Sequence, residues 1–118
     1  MAALFNKALV INQGATFTDS LTWSAGEPAV AVDLTGCTGR MQIRSTQASP
    51  NIISELTTEN GGITLGGVLG TIALKIPAVQ TEKFAWATGV YDLELVFPDE
   101  TVVRIVEGAV SVSAGVTR

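Results

Sequence analysis

The sequence predicts an all-β fold, an antiparallel β-sandwich of about seven to eight strands with one short helical turn near residues 77–84. Three observations support this prediction. Apolar residues recur at every second position in several short runs, which is the period of a strand with one face in the core. Gly, Pro and Asn residues interrupt these runs about every ten residues, as in sandwich folds. The 118 residues, 47% of them apolar, suffice for one hydrophobic core.

The alternating runs also predict which side chains form that core. The positions opposite them are mostly Thr and Ser, which explains why only 15% of the residues are charged. Branched Thr side chains suit the solvated face of a strand. The predicted core residues are, in chain order, Phe17, Leu21, Trp23, Met41, Ile43, Ile72, Leu74, Ile76, Tyr91, Leu93, Leu95, Phe97 and Ile105.

The two ends of the chain and the helical turn complete the predicted organisation. Pro77 begins a stretch rich in helix-forming Ala, Gln, Glu and Lys, which indicates a single helical turn between two strands. Residues 1–12 are predicted to form an N-terminal arm and the first strand. Residues 13–118 are predicted to form one sandwich domain.

The last two predicted strands form a hairpin whose register can be predicted. With a three-residue loop at 98–100, Phe97 lies opposite Thr101 and Leu95 opposite Val103. The same register places Leu93 opposite Ile105, and it places Glu94 opposite Arg104 on the outer face as a surface pair. A slip by one residue would place Glu94 opposite a valine.

The composition argues against several classes of function. The chain contains no His that could activate a nucleophile as its base. Its single Cys, Cys37, is too few for a metal site built from thiolates. A net charge of −4 disfavours nucleic acid as a partner. No run is long enough to span a membrane, and residues 1–7 lack the basic region and apolar run expected of a secretion signal. We therefore expect no enzyme activity, no cofactor, no metal and no membrane or nucleic-acid partner, and we expect the protein to be made in a cytoplasm.

Two groups of residues are candidates for binding a protein partner. Arg40 and Arg44 flank Gln42 on the exposed side of one strand, where they can bind a phosphate or carboxylate or can simply keep the strand soluble. Leu4 and Phe5 precede the first strand and are expected to contact a partner. The carboxylates Asp92 and Glu94, two residues apart on one strand, fit either a solvated face or a carbohydrate or cation site.

Several segments resemble those of small virion proteins of tailed phages and prophages. They are the Asp-Leu-Thr-Gly motif at 33–36 with Met41, Ile43 and Arg44 behind it, and the runs 55–67, 89–96, 103–108 and 112–118. The same layout is similar to the immunoglobulin-like N-terminal domain of phage upper baseplate proteins. The likeness covers most of the chain, from about residue 13 to residue 118, and its motifs are turn glycines and strand alternation. Cys37 stands where an aromatic residue is common in that family.

The resemblance implies a non-enzymatic structural protein of the virion, assembled in the bacterial host cytoplasm. It implies a tail or baseplate adaptor, present in several copies, that connects fibres or hub proteins to other virion chains. Two alternatives remain open: a capsid decoration, cement or head-fibre protein, and a carbohydrate-binding module that recognises the host surface. The low charge of the strand faces fits an assembly role, because few ions must lose water when a neighbour docks.

Overall fold

The computed structural model describes residues 3–116, so residues 1–2 of the predicted arm and 117–118 of the predicted domain lie outside it. In this part of the chain, strands account for most of the regular structure. The elements are β1 (Phe5–Asn6), β2 (Leu9–Asn12), β3 (Phe17–Thr22), β4 (Ser24–Ala25), β5 (Val30–Ala31), β6 (Thr38–Arg44), β7 (Ser54–Thr57), β8 (Ile63–Leu65), a 3-10 turn (Gly67–Leu69), β9 (Thr71–Ile76), α1 (Ala78–Thr81), β10 (Thr88–Val96) and β11 (Val102–Ser113).

The strands form two packed sheets and a small hairpin. The larger sheet has the order β1–β11–β10–β6–β7, with β2 also on β11, and the smaller has the order β3–β9–β8. Strands β3, β9 and β8 correspond to B, E and D of an immunoglobulin domain, and β11, β10, β6 and β7 to G, F, C and C′. The predicted all-β, immunoglobulin-like sandwich is therefore confirmed. Eight of the described strands have three or more residues, in line with the predicted number.

The prediction of a purely antiparallel fold needs one correction at the N-terminus. Strands β1 and β2 run parallel to β11, with Phe5 opposite Val106 and Leu9 opposite Val110. Leu9 and Ile11 are buried in the same core as the rest of the domain. In immunoglobulin constant domains the first strand, A, pairs with strand B. Here the N-terminal strands lie on the opposite sheet instead, so they do not pair with β3.

The core lies between the two sheets and contains every side chain that the alternation predicts. Nine of these are buried, and Phe17, Leu21, Trp23 and Phe97 are partly buried and pack against the others. Trp23 and Phe97 meet edge to face at 6.1 Å between ring centroids. The core also contains buried residues that the prediction did not include, namely Leu9, Ile11, Leu34, Leu56, Ile63, Val106 and Val110.

The register of the final hairpin is correct near the turn and wrong beyond it. The Phe97 amide donates to the Thr101 carbonyl (2.8 Å), and Glu94 lies opposite Arg104. Between Leu93 and Glu94 the register shifts, so Leu93 faces Val106 and not Ile105. The shift is a β-bulge with one extra residue on β11, which lets the consecutive residues Ile105 and Val106 both point into the core.

The helical turn closes one end of the sandwich. Helix α1 follows Pro77, as the sequence predicts, and its last residue Thr81 is fully buried. The Thr81 hydroxyl donates to the Ala15 carbonyl (2.8 Å) and accepts from the Gly14 amide (3.1 Å). These bonds attach the turn to the β2–β3 connection. None of the helical segments within residues 3–116 is long and apolar enough to cross a membrane.

A polar cluster joins the two sheets where the N-terminal strands are interrupted at Lys7. The Lys7 amide donates to the Glu107 carbonyl (3.0 Å), its carbonyl accepts from the Tyr91 hydroxyl (2.7 Å), and its ammonium lies 2.9 Å from Asp19 of the smaller sheet. Asp19 stands on the same side of β3 as the core residues Phe17 and Leu21. Its charge is tolerated at this inward position because Lys7 neutralises it.

We expect this cluster to make stability fall at high pH. Burial, and secondarily the charge of Asp19, raise the pKa of Tyr91 from 10.0 to about 12. The unfolded chain ionises near pH 10 while the folded protein keeps the phenol neutral. The stabilisation is therefore complete below about pH 10 and is lost as pH rises towards about 12, by about 1–3 kcal/mol.

Urea unfolding followed by Trp fluorescence, repeated from about pH 9 to about pH 12, measures this decline. Tyr91→Phe serves as the control. It loses the hydrogen bond to Lys7, worth about 1 kcal/mol, at every pH, but it has no phenol to ionise. A decline of equal steepness in both proteins would assign the effect to other groups.

Candidate functional site

The predicted partner-binding residues of β6 lie on the outer side of the larger sheet, which we call the charged face. Arg40, Gln42 and Arg44 project there beside the candidate carboxylates of β10. Strand β11 adds Arg104 and Glu107, and β7 adds Glu55, which lies opposite Gln42. The charged face consists of Arg40, Gln42, Arg44, Glu55, Asp92, Glu94, Arg104 and Glu107.

Charges on this face are largely paired within the chain. Arg40 bonds Glu94 at 3.3 Å, and Arg104 lies 3.5 Å from both Asp92 and Glu107. Glu94 and Arg104 are opposite in register, as predicted, but these salt bridges connect each of them to other residues. Such half-exposed pairs contribute about 0.2–1 kcal/mol each. The face is thus a network of weak ion pairs.

Gln42 and Arg44 extend this network with charge-assisted hydrogen bonds. Gln42 donates to Glu55 at 2.7 Å, and Arg44 donates to the Gln42 side chain (2.8 Å) and to the Ser49 carbonyl (2.9 Å). Beside Arg44 lies a shallow depression of 330 Å³ that reaches Asp92 and Glu107. Partial burial raises the pKa of Asp92, although Arg104 opposes that rise.

Metal-ligating side chains and the single thiol were the groups with the greatest potential for chemistry. Among residues 3–116 no three Cys, Asp or Glu side chains are arranged to hold a metal ion. Burial, then the charges of Asp33 and Asp99, raise the pKa of the Cys37 thiol. A thiol held in its protonated form is a poor nucleophile.

The other predicted partner-binding pair, Leu4 and Phe5, lies at the edge of the larger sheet. The Leu4 amide donates to the Arg104 carbonyl (3.3 Å), so the backbone belongs to the domain. Both side chains point outward, with exposed fractions of 53% and 42%. They are therefore available to a partner while their backbone is held.

The outer side of the smaller sheet contrasts with the charged face. Ala73 lies at its centre, between Ser20 of β3 and Thr64 of β8. One charged side chain, Lys75, stands at its margin. We call this surface the uncharged face, and it consists of Thr18, Ser20, Thr22, Thr64, Thr71 and Ala73.

Strand β3 forms an open edge of the smaller sheet. It pairs with β9 on one side, and on its other side no strand of the described chain pairs with it. It contains neither Lys nor Pro, the residues that commonly protect an edge from strand addition. Its inward Asp19 is the one protective device of this kind. The alternation of polar residues along β3 predicts that one of its faces is exposed. It does not predict the open edge, which exists because β1 and β2 pair with β11 and not with β3.

Neither tryptophan forms an exposed binding platform. Trp23 packs against Phe97 at one end of the sandwich, and Trp86 packs against Phe84 at the other, with 5.2 Å between ring centroids. Both are partly buried against the core. A sugar site at Asp92 and Glu94 would need an exposed aromatic ring beside them, and these rings lie elsewhere.

Comparisons with known proteins give weak likenesses. No family model matches the chain, and no curated protein does. A structure of Drosophila OTK extracellular domains 3–5 is 13% identical, with 89% of this chain and 32% of that chain covered and a TM-score of 0.38. A structure from a study of multimeric cell-adhesive interactions of VGSC beta subunits is 12% identical, with 92% of both chains covered and a TM-score of 0.44. The chain spans about a third of the OTK structure, and the fold assignment rests on the strand order.

Proposed function

We propose that this chain is a non-enzymatic structural protein of a tailed-phage virion, an adaptor in the tail or baseplate that binds other virion chains. The observation that carries the proposal is the uncharged face beside the open edge of β3. The resemblance of the turn and strand motifs to those of small virion proteins supplies the biological setting of the proposal.

The physical argument is the cost of removing water. A docking partner must strip water from every ion that it covers, and an unpaired ion without water is costly. The uncharged face presents hydroxyl and methyl groups, and removing water from these groups costs less free energy than removing it from ions. The adjacent β3 edge offers backbone N–H and C=O groups to which an extended segment of a neighbour can hydrogen-bond. Together they suit a long-lived contact with another protein.

We expect a charge at the centre of this face to prevent assembly. Ala73→Lys places an ammonium among Ser20 and Thr64 without disturbing the core, because Ala73 is exposed. Its burial beneath a partner would reduce incorporation into particles by at least about tenfold. Ala109→Lys makes the same change on the exposed side of β11, outside the uncharged face, and should assemble normally.

The experiment is quantitative mass spectrometry of particles purified from cells that produce each variant. Absence of the unaltered chain from the purified particles would refute the proposal that it is a structural protein of the virion. Equal incorporation of the two variants would refute the proposal that the uncharged face is the docking surface. Cryo-electron microscopy of the same particles distinguishes a tail position from the alternative of a decoration or fibre protein on the head.

A further inference from the structure

Three loops meet at one end of the sandwich, which we call the tip. Leu34 donates its amide to the Gly67 carbonyl (2.9 Å), and a Cβ at Gly36 would lie 2.9 Å from Pro98. These contacts hold the loops against one another, so the tip is a surface of fixed shape. The loops are the β3–β6 connection (23–37), the turn between β8 and β9 (66–70) and the β10–β11 turn (97–101).

The surface of the tip is apolar and acidic. Val30, Val68 and Leu69 are exposed there to 66%, 66% and 65%. The three loops contain no Lys or Arg. Hydrogen bonds from Thr35 and Thr101 lower the pKa of Asp33 and Asp99, so these carboxylates are charged at neutral pH. The acidic residues of the tip are Glu27, Asp33, Asp99 and Glu100.

The opposite end, which we call the base, has the complementary character. It is formed by the loop 45–53, the segment 77–87 that contains α1, and residues 114–116. Its exposed apolar side chains are Ile52, Val79 and Val116. Lys83 and Glu82 are its own charged side chains, and the strand ends that adjoin it add the basic Arg44 and Lys75 and the acidic Glu55, so basic residues outnumber acidic ones by three to two.

We propose that the tip of one copy docks on the base of a second copy. Exposed valine and leucine side chains would cover one another, and the tip carboxylates would face the basic residues of the base. The molecule is elongated, 46 × 29 × 26 Å, so each end has a cross-section of 29 × 26 Å. That is close to the area of about 800 Å² that each partner contributes to a standard interface.

The contact joins two different surfaces and therefore continues from copy to copy. A head-to-tail contact makes a ring if its rotation closes and a linear stack if it does not. The inference deepens the proposed function, since it names one partner of the adaptor as a second copy of the chain. Its test uses the purified protein alone, so it can fail while the chain is still found in particles.

Three identical substitutions at similarly exposed valines test the proposal. Val68→Ser alters the tip, Val79→Ser alters the base, and Val10→Ser alters the side of the sandwich, where Val10 is 59% exposed against 66% and 62%. Sedimentation velocity up to about 1 mM protein measures self-association. We expect the tip and base variants to bind about tenfold more weakly than the unaltered chain, with V10S unchanged. Raising the salt to about 0.5 M should weaken association of the unaltered chain.

Mixing the variants decides whether the contact joins tip to base. A V68S chain keeps an intact base and a V79S chain keeps an intact tip, so the mixture should recover one strong contact and form heterodimers that do not extend. Overlapping unfolding curves for the three variants would show that all are folded. A protein that is monomeric throughout, a dimer insensitive to both end variants, or a mixture without heterodimers would each overturn the proposal.

Discussion

Replacing Gly108 with alanine is expected to detach the N-terminal strands from the sandwich. Gly108 lies opposite Tyr91 in the larger sheet. A Cβ added there would clash with the Lys7 carbonyl oxygen and lie 2.8 Å from the Lys7 carbonyl carbon. Both are backbone atoms, so no side-chain rotation relieves the clash. The strand must move, which breaks the hydrogen bond from Tyr91 and exposes the buried Leu9 and Ile11.

We expect Gly108→Ala to lower the free energy of unfolding by about 3 kcal/mol or more, because overpacking against backbone costs more than overpacking against a flexible side chain. Urea unfolding measures the loss, and hydrogen exchange should show faster exchange of the amides of residues 5–12. Gly61→Ala is the matched control. Its φ of 82° strains an alanine, but nothing lies within 4 Å of the added Cβ. The strain alone costs about 1 kcal/mol. Equal losses in the two variants would refute a steric role for Gly108.

Alternation along the chain was sufficient to predict the sandwich fold and nine of the sixteen buried apolar residues of its core. An apolar side chain at every second position can be buried only if one face of the strand meets a second layer. The same reasoning could not predict the bulge at Ile105, because consecutive apolar residues on β11 are compatible with more than one register. It also could not show that β2 pairs in parallel, since a parallel neighbour depends on a distant strand and leaves no local pattern.

The candidate binding residues were predictable as exposed positions, but their interactions were not. Arg40 and Glu94 are 54 positions apart in the chain and meet because β6 lies beside β10. Asp19 was missed, although its sequence position carries a signal. It shares the parity of Phe17 and Leu21, so an acidic residue there indicates a buried or half-buried partner, which is Lys7. The complementary ends of the molecule depend on which loops the topology gathers, and that requires the strand order.

Leu93→Ala is expected to have the largest effect on stability of any change considered. Leu93 is fully buried at the centre of the larger sheet, between Met41 of β6 and Val106 of β11. It follows Tyr91 by two residues, where antibody domains place one cysteine of the disulfide that joins their sheets. This chain has a single cysteine, so the sheets are held together here by side-chain packing.

Truncating the isobutyl side chain to a methyl group leaves a cavity that the surrounding β-sheet closes only in part. We expect a loss of about 3–5 kcal/mol, a large share of the 5–15 kcal/mol typical of a domain. Leu69→Ala is the control, since Leu69 is 65% exposed and the same truncation should cost less than about 0.5 kcal/mol. Thermal unfolding of both variants measures the difference. Similar melting temperatures for the two would mean that packing at Leu93 does not hold the sheets together, because the chemical change is identical and only the burial differs.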